Sequence, residues 1–194
     1  MIMKKLLSIA AASLLLFSTS FQARAIEGPD PVGSITASAY LGLLPGVGAN
    51  VAADYVLINH WWKGHFTVGG YAGLYGDKSS DSVSVSGVTA KNSTKYHYFT
   101  VMPRATYGLN ITDSFEVHAG TMLGMQFSYS KTKGSVSSAA GGVDGNEKKS
   151  DTSLGFAYAE LVGCRYFFTD NFGVSAECSV GTVTYLNLGI SYRF

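Results

Sequence analysis

The sequence predicts an all-β fold, a transmembrane antiparallel β-barrel of eight strands connected up and down. Apolar and polar residues alternate with a period of two in eight stretches, as they do in strands that face two environments. Charged residues make up 14% of the chain, against about 25% in ordinary soluble domains. After residue 25 no apolar run approaches the ~20 residues that a spanning helix needs. An exported chain with these properties is typical of membrane barrels.

The N-terminus is predicted to be an export signal. Two lysines at positions 4 and 5 precede the apolar run 6–17, and Ala23-Arg24-Ala25 fits the cleavage pattern. A membrane anchor, the alternative, would need a longer run of ~20 residues. We therefore expect a cleaved signal peptide at 1–25 and one barrel domain at 26–194. Three of the 14 basic residues lie in the signal, and the remaining 11 against 13 acids do not favour nucleic-acid binding.

Turn signals and polar stretches separate the predicted strands. Thr169-Asp170-Asn171 is typical of a tight turn, and Trp61 and Trp62 suit a membrane–water interface. Pro103 would remove a ladder donor and Glu160 would place a charge on the apolar face, so each suggests a β-bulge. The predicted strands span residues 34–43, 49–57, 65–75, 96–107, 115–129, 153–168, 174–180 and 185–194.

The connections between these strands differ in length in a regular way. Those after the second, fourth and sixth strands are short, whereas 77–94 and 131–152 are long and polar. Short periplasmic turns and longer outer loops are the pattern of outer-membrane barrels. The even number of strands places both ends of the barrel domain on the periplasmic side.

The last strand carries a resemblance to a known family. Leu186, Leu188, Ile190, Tyr192 and Phe194 alternate with polar residues, and the sequence ends on Phe194. This strand resembles the C-terminal strand of bacterial outer-membrane barrels, which the assembly machinery reads. By strand count, loop asymmetry and terminal Phe, residues 34–194 resemble the small eight-stranded barrels of the OmpA/OmpX-like group. The resemblance implies a Gram-negative outer-membrane location, contact with membrane lipid and lipopolysaccharide, and an assembly signal at Tyr192 and Phe194.

Inward-facing positions carry several charges. An eight-stranded barrel is just wide enough for side chains to fill, so we expect a plug of ion pairs and hydrogen bonds. Inward glycines such as Gly73 and Gly124 leave a narrow water path as the alternative. If residues whose numbers sum to ~220 lie opposite each other across the turn at 110–114, Arg104 and Glu116 form a pair. The predicted network comprises Asp54, Arg104, Glu116, His118, Glu177 and Arg193.

No catalytic residue, cofactor or metal site is expected. His118 and Glu116 share a face, but Ser128 lies ~33 Å further along the strand, too far to act as their nucleophile. The four histidines have no ligand spacing. A lipid-modifying enzyme is therefore the least favoured class, behind a small-solute or ion pore. We expect a structural or surface-interaction role, with contact to host surfaces or extracellular polymers through loops 77–94 and 131–152.

The longest predicted loop is basic. It contains Lys131, Lys133, Lys148 and Lys149 with acids interleaved. These lysines are either solvated loop charges or a site for anionic lipopolysaccharide or host polymers.

The sequence contains two cysteines, Cys164 and Cys178, on the predicted sixth and seventh strands. A three-residue turn would place them directly opposite each other, within reach of a disulfide. A different turn would stagger them, and free cysteine suits a lipid face. Two free thiols are therefore the default expectation, with the disulfide as the alternative.

Overall fold

Eight antiparallel strands close into a ring. The computed structural model describes residues 31–85, 88–138 and 145–194; each strand pairs with the next, and β8 returns to pair with β1. Closure gives every strand two hydrogen-bonding neighbours, as strands in lipid require. The predicted strand number and order are confirmed. The strands are β1 (Ile35–Leu43), β2 (Val47–Trp61), β3 (Gly64–Val85), β4 (Val88–Asn110), β5 (Phe115–Ser138), β6 (Gly145–Phe167), β7 (Phe172–Gly181) and β8 (Leu186–Arg193).

Across the described ranges, no helix has the length and apolar character needed to span a bilayer.

The two faces of the ring follow the predicted alternation. On β8, Leu188, Ile190 and Tyr192 are exposed on the outside, whereas Asn187 and Ser191 are buried inside. The interior of the ring is thus its polar side, the reverse of a soluble domain, as expected for a barrel whose outside contacts hydrocarbon.

The connections predicted as long loops are mostly β-structure, so the predicted loop extents are wrong. The β3–β4 ladder continues through 77–94 up to the Val85–Val88 pair. β5 and β6 likewise pair through most of 131–152, of which residues 139–144 lie outside the described part. Side chains beyond the membrane meet water on both faces, so no apolar–polar alternation marks these strand extensions in the sequence.

Four strands, β3 to β6, stand taller than the other four. The β2–β3 ladder ends at the Val47–Gly76 pair and the β6–β7 ladder at Ala159–Gly181, whereas β3 to β6 continue to pair beyond both. We call this projecting part, residues 77–85, 88–96, 130–138 and 145–151, the upper sheet. It marks the hairpin end of the barrel. The opposite end, with the short connections after β2, β4 and β6, is the turn end.

Both predicted bulges are absent from the described ladders. β4 keeps one register on either side of Pro103, and β6 keeps one register across Glu160. Glu160 instead points outward beside Val180, close to the hairpin-end terminus of β7. An outward carboxylate costs little near the interface, unlike one at the bilayer centre. The register shift of β2 lies elsewhere, between Val56 and Trp61.

Candidate functional site

A buried cluster of charged side chains fills the barrel interior. Alternation along five strands turns all six predicted network residues into the lumen, where all six are buried. The guanidinium carbon of Arg193, on β8, lies 3.9 Å from the centre of the Phe167 ring. The structure adds Arg165 of β6, His65 of β3 and the Tyr40 hydroxyl of β1 to the cluster. The predicted members that come together are Asp54, Arg104, Glu116, His118 and Glu177.

Arg104 joins two carboxylates from opposite sides of the lumen. Its Nε lies 2.9 Å from Asp54 Oδ1, and its Nη2 lies 3.0 Å from Glu177 Oε1. The Tyr40 hydroxyl donates to the same Glu177 oxygen at 2.7 Å. These contacts link β1, β2, β4 and β7 across the barrel, and they satisfy the requirement that a buried charge be paired.

Arg165 is the second bridge, and it lies outside the predicted set. Its Nη1 donates to Glu116 Oε1 at 3.1 Å and its Nη2 donates to Asp54 Oδ2. The signal for it was present, since Arg165 alternates with outward Cys164 and Tyr166 on β6. The outward Glu160 obscured that alternation in the sequence.

The predicted Arg104–Glu116 pair is wrong. The β4–β5 ladder sets Glu116 opposite Asn110 and Arg104 opposite Met122. Paired residue numbers on these strands sum to 226, whereas the prediction assumed ~220, a value too low for a turn centred near residue 112. Glu116 instead lies directly opposite Arg165 on the other neighbouring strand.

His118 lies between the two glutamates. Its Nε2 is 3.1 Å from Glu177 Oε1 and its Nδ1 is 3.3 Å from Glu116 Oε1. His65 approaches Glu116 from β3, with its Nε2 at 3.8 Å from Oε1. The cluster therefore holds three carboxylates, two guanidinium groups and two imidazoles, all removed from solvent.

The hairpin end of the lumen has a roof. The β7–β8 connection folds inward, so that Val183 and Thr184 are buried. Thr184 Oγ1 accepts a hydrogen bond from Asn50 Nδ2 at 2.9 Å, and Gln126 Nε2 donates to the Thr182 carbonyl at 2.7 Å. Beneath this roof the space holds a cluster of Tyr40, Tyr71, Met102, Met122 and neighbouring apolar side chains.

The inward glycines have close neighbours and leave no room for a side chain. A Cβ added at Gly73 would lie 2.6 Å from Asn50 Oδ1 and 2.9 Å from the Tyr71 hydroxyl. At Gly124 it would collide with the Val101 carbonyl on β4. At Gly73, interior side chains thus occupy the volume that the sequence left open for water. At Gly69, Gly120 and Gly189, as at Gly124, an added Cβ would first meet the backbone of the adjacent strand.

The remaining sequence candidates lie apart. Ser128 Oγ is 2.6 Å from Ser153 Oγ, whereas His118 belongs to the interior cluster. Cys164 lies opposite Ala176 and Cys178 opposite Val162, so the cysteines are staggered by two residues and the alternative of direct opposition is wrong. Both cysteines are free thiols.

The basic residues of the longest predicted loop are divided between two faces. Lys131 and Lys133 are exposed on the outward face of β5, and Lys149 shares the inward phase of β6. The side chain of Lys148 lies outside the described part. Two further lysines, Lys78 and Lys95, join Lys131 on the outward face because the ladder sets all three in one row.

Comparison with known proteins identifies the family. The family model of the outer membrane protein β-barrel domain matches residues 9–194. The chain belongs to this family. The prediction of a small outer-membrane barrel is thereby confirmed, and with it a location in the bacterial outer membrane.

Several solved structures are similar to this chain. Ail, the attachment invasion locus protein of Yersinia pestis, is 21% identical over 83% of this chain and 97% of its own, with a TM-score of 0.42. The N-terminal barrel of Pseudomonas aeruginosa OprF is 12% identical over 84% and 98%, with a TM-score of 0.47. Neisserial surface protein A is 18% identical over 82% and 93%, with a TM-score of 0.36. No curated protein matches the chain.

Proposed function

We propose that this outer-membrane barrel is a non-conducting anchor that holds the upper sheet above the cell surface for a structural or surface-contact role. The filled lumen carries the proposal. Two arginines cross-link the walls, Met102 and Met122 are buried in the middle, and the β7–β8 connection roofs the hairpin end. With the turn end facing the periplasm, the upper sheet stands outside the cell.

The upper sheet offers a polar surface to partners outside the cell. One of its rows runs Asp77, Tyr96, Ser130 and Asp151 across four strands. Just below it the rings of Tyr75 and Tyr98 stack with centroids 4.6 Å apart. Hydroxyls, carboxylates and aromatic faces suit contact with host surfaces or extracellular polymers, the partners expected for segments 77–94 and 131–152. No enzymatic activity is part of this proposal.

Conductance separates the anchor from the alternative of a small-solute or ion pore. The purified protein is inserted into planar bilayers and the current is recorded under voltage. A filled lumen predicts no stepwise current. Steady stepwise currents at the single-molecule level would establish the pore instead.

Surface contact is tested by shortening the upper sheet. A variant that joins Lys78 to Lys95 through a two-residue turn removes the β3–β4 projection and leaves the membrane-spanning rows intact. Cells that carry equal amounts of either protein are compared for adherence to host cells and matrix-coated surfaces. Reduced adherence of the variant is expected, and equal adherence would leave only the structural role.

Export and assembly are tested at the two ends of the chain. We expect N-terminal sequencing of the mature protein to begin at Ile26, after removal of residues 1–25. Tyr192 and Phe194 are exposed on the outer face, with ring centroids 4.8 Å apart, where the assembly machinery could read them. Deleting Phe194 should lower the amount of protein in the outer membrane far more than deleting a residue of the upper sheet. Normal levels of the truncated protein would exclude the assembly signal.

A further inference from the structure

Three lysines from adjacent strands lie side by side on the outward face of β3, β4 and β5. The ladder pairs Lys78 of β3 with Lys95 of β4, and Lys95 with Lys131 of β5. All three side chains are exposed, and Lys133 follows two residues beyond Lys131 on the same face. We call Lys78, Lys95 and Lys131 the lysine row. Directly opposed side chains on one face have Cβ atoms ~4.5–5.5 Å apart, so the three ammonium groups share one small area.

Like charges placed directly opposite each other destabilise a sheet, so the lysine row costs stability unless a negative charge lies beside it. The acidic residues of the neighbouring row, Asp77 and Asp151, are one residue out of phase and point to the other face. The outward row nearer the membrane contains His97 and Tyr129, whose rings stack with centroids 6.4 Å apart. Among the described residues, no acidic side chain lies beside the lysine row on the outward face. An anion from the surroundings would therefore relieve the repulsion between the lysines.

Below the lysine row the same face becomes apolar. Four residues along each strand from the three lysines lie Leu74, Phe99 and Phe127, all exposed on the outside. At ~3.3 Å per residue this separation is about 13 Å along the strand. The rings of Phe99 and Phe127 stack with centroids 6.0 Å apart. From the hairpin end towards the bilayer, the face thus runs from cations through an aromatic and imidazole pair to an apolar band.

We propose that the lysine row binds the phosphate groups of a phosphorylated glycolipid in the outer leaflet, the lipid A part of lipopolysaccharide. The three ammonium groups bind the phosphates, and the acyl chains lie against the apolar band of Leu74, Phe99 and Phe127. The order of the groups on this face matches the order of the groups in that lipid. The proposal uses the orientation given above, with the upper sheet outside, and does not depend on whether the upper sheet binds a host surface.

A membrane lipid fits this face better than a soluble polyanion does. The lysines point outward from the base of the upper sheet, towards the headgroups of the lipids that surround the barrel, whereas a polymer from the medium would first meet the tip of the upper sheet. The shorter strands β1, β2 and β7 differ, since their outward positions near the hairpin end include Leu41, Val47 and Val180. The glycolipid is therefore expected to bind to one side of the barrel.

The test measures the binding of diphosphoryl lipid A to the full protein, purified in an uncharged detergent. The wild type is compared with Lys78→Gln/Lys95→Gln/Lys131→Gln by native mass spectrometry over a range of lipid concentrations. The triple variant should bind roughly 100-fold more weakly, because each basic residue near an anionic lipid surface contributes about fivefold. Dephosphorylated lipid A should bind the wild type and the triple variant with equal affinity, because it lacks the phosphates that the lysines contact.

Two controls make the result specific. Lys149→Gln removes a lysine at the same level from the other face and should leave binding unchanged. The single variant Lys95→Gln should give a smaller loss of about fivefold, and the heat-dependent gel mobility of each variant shows that the barrel is folded. Equal binding by the wild type and the triple variant would overturn the proposal. So would full displacement of lipid A by a soluble polyanion such as heparin at equal concentration, which would assign the row to polymers instead.

Discussion

Charged side chains are paired with opposite charges in the barrel interior, whereas like charges lie side by side on its outer wall. Inside, each guanidinium of Arg104 and Arg165 contacts at least two carboxylates, with N–O distances of 2.9 Å and 3.0 Å for Arg104. On the outer wall, three lysines lie next to one another while the nearest acids face away. Buried charges must be paired within the chain, whereas exposed charges can be compensated by water, ions or a ligand from the surroundings. Removing a charge should therefore have opposite effects on stability in the two regions.

The largest effect is expected from Arg165→Met. The substitution keeps an unbranched side chain but leaves Glu116 and Asp54 without the guanidinium that contacts both. Breaking a buried ion pair by removing one partner costs about 3–5 kcal/mol. The free energy of unfolding in urea, measured on protein refolded into vesicles, should fall by that amount. An unchanged value would mean that the network contributes nothing to stability, and it would contradict the proposed difference between interior and outer-wall charges.

Glycine substitutions sharpen the contrast between the inner and outer faces of one strand. Gly73→Ala places a methyl group against Asn50, which is held by its hydrogen bonds to Thr184 and Asn187. Overpacking of this kind costs about 1–3 kcal/mol. Gly70→Ala, three residues earlier, meets no heavy atom within 4 Å and should change stability by less than ~0.5 kcal/mol. Equal stability of the two alanine variants would indicate free space in the lumen beside Gly73, as the alternative of a water path requires.

The smallest effect, with the opposite sign, is expected from Lys95→Gln. Lys95 has a lysine on either side in the row. Relief of like charges opposite each other should raise the stability by about 0.2–1 kcal/mol in an uncharged detergent. The thermal midpoint measures this, with diphosphoryl lipid A absent and then present. Lipid should stabilise the wild type more than the variant, and a variant less stable in both conditions would contradict the repulsion.

Much of the interior could be predicted from the sequence. Asp54, Glu116, His118 and Glu177 were assigned to the lumen from alternation alone, and the structure buries all four. Their partners could not be assigned in the same way. The predicted Arg104–Glu116 pair depends on an assumed register, and the ladder instead sets Arg104 opposite Met122. Register depends on where each hairpin closes, and a small change at the turn carries along the whole ladder.

The lysine row shows the same division. Lys131 and Lys133 were noticed as basic residues of a loop, but their neighbours Lys78 and Lys95 are distant in the sequence. No local pattern joins them, because the segments that carry them are polar on both faces and were expected to be loops. Only the extended β3–β4 and β4–β5 ladders bring the three lysines into one row.

The sequence by itself determined the number of strands and the direction in which their side chains point. Both follow from the period of two, which is a property of a few consecutive residues. Tertiary structure decided which residues meet: the Arg165 bridge between Glu116 and Asp54, the inward fold of the β7–β8 connection, and the lysine row. These contacts depend on ring closure and strand register, which join residues far apart in the chain, so no stretch of the sequence contains them.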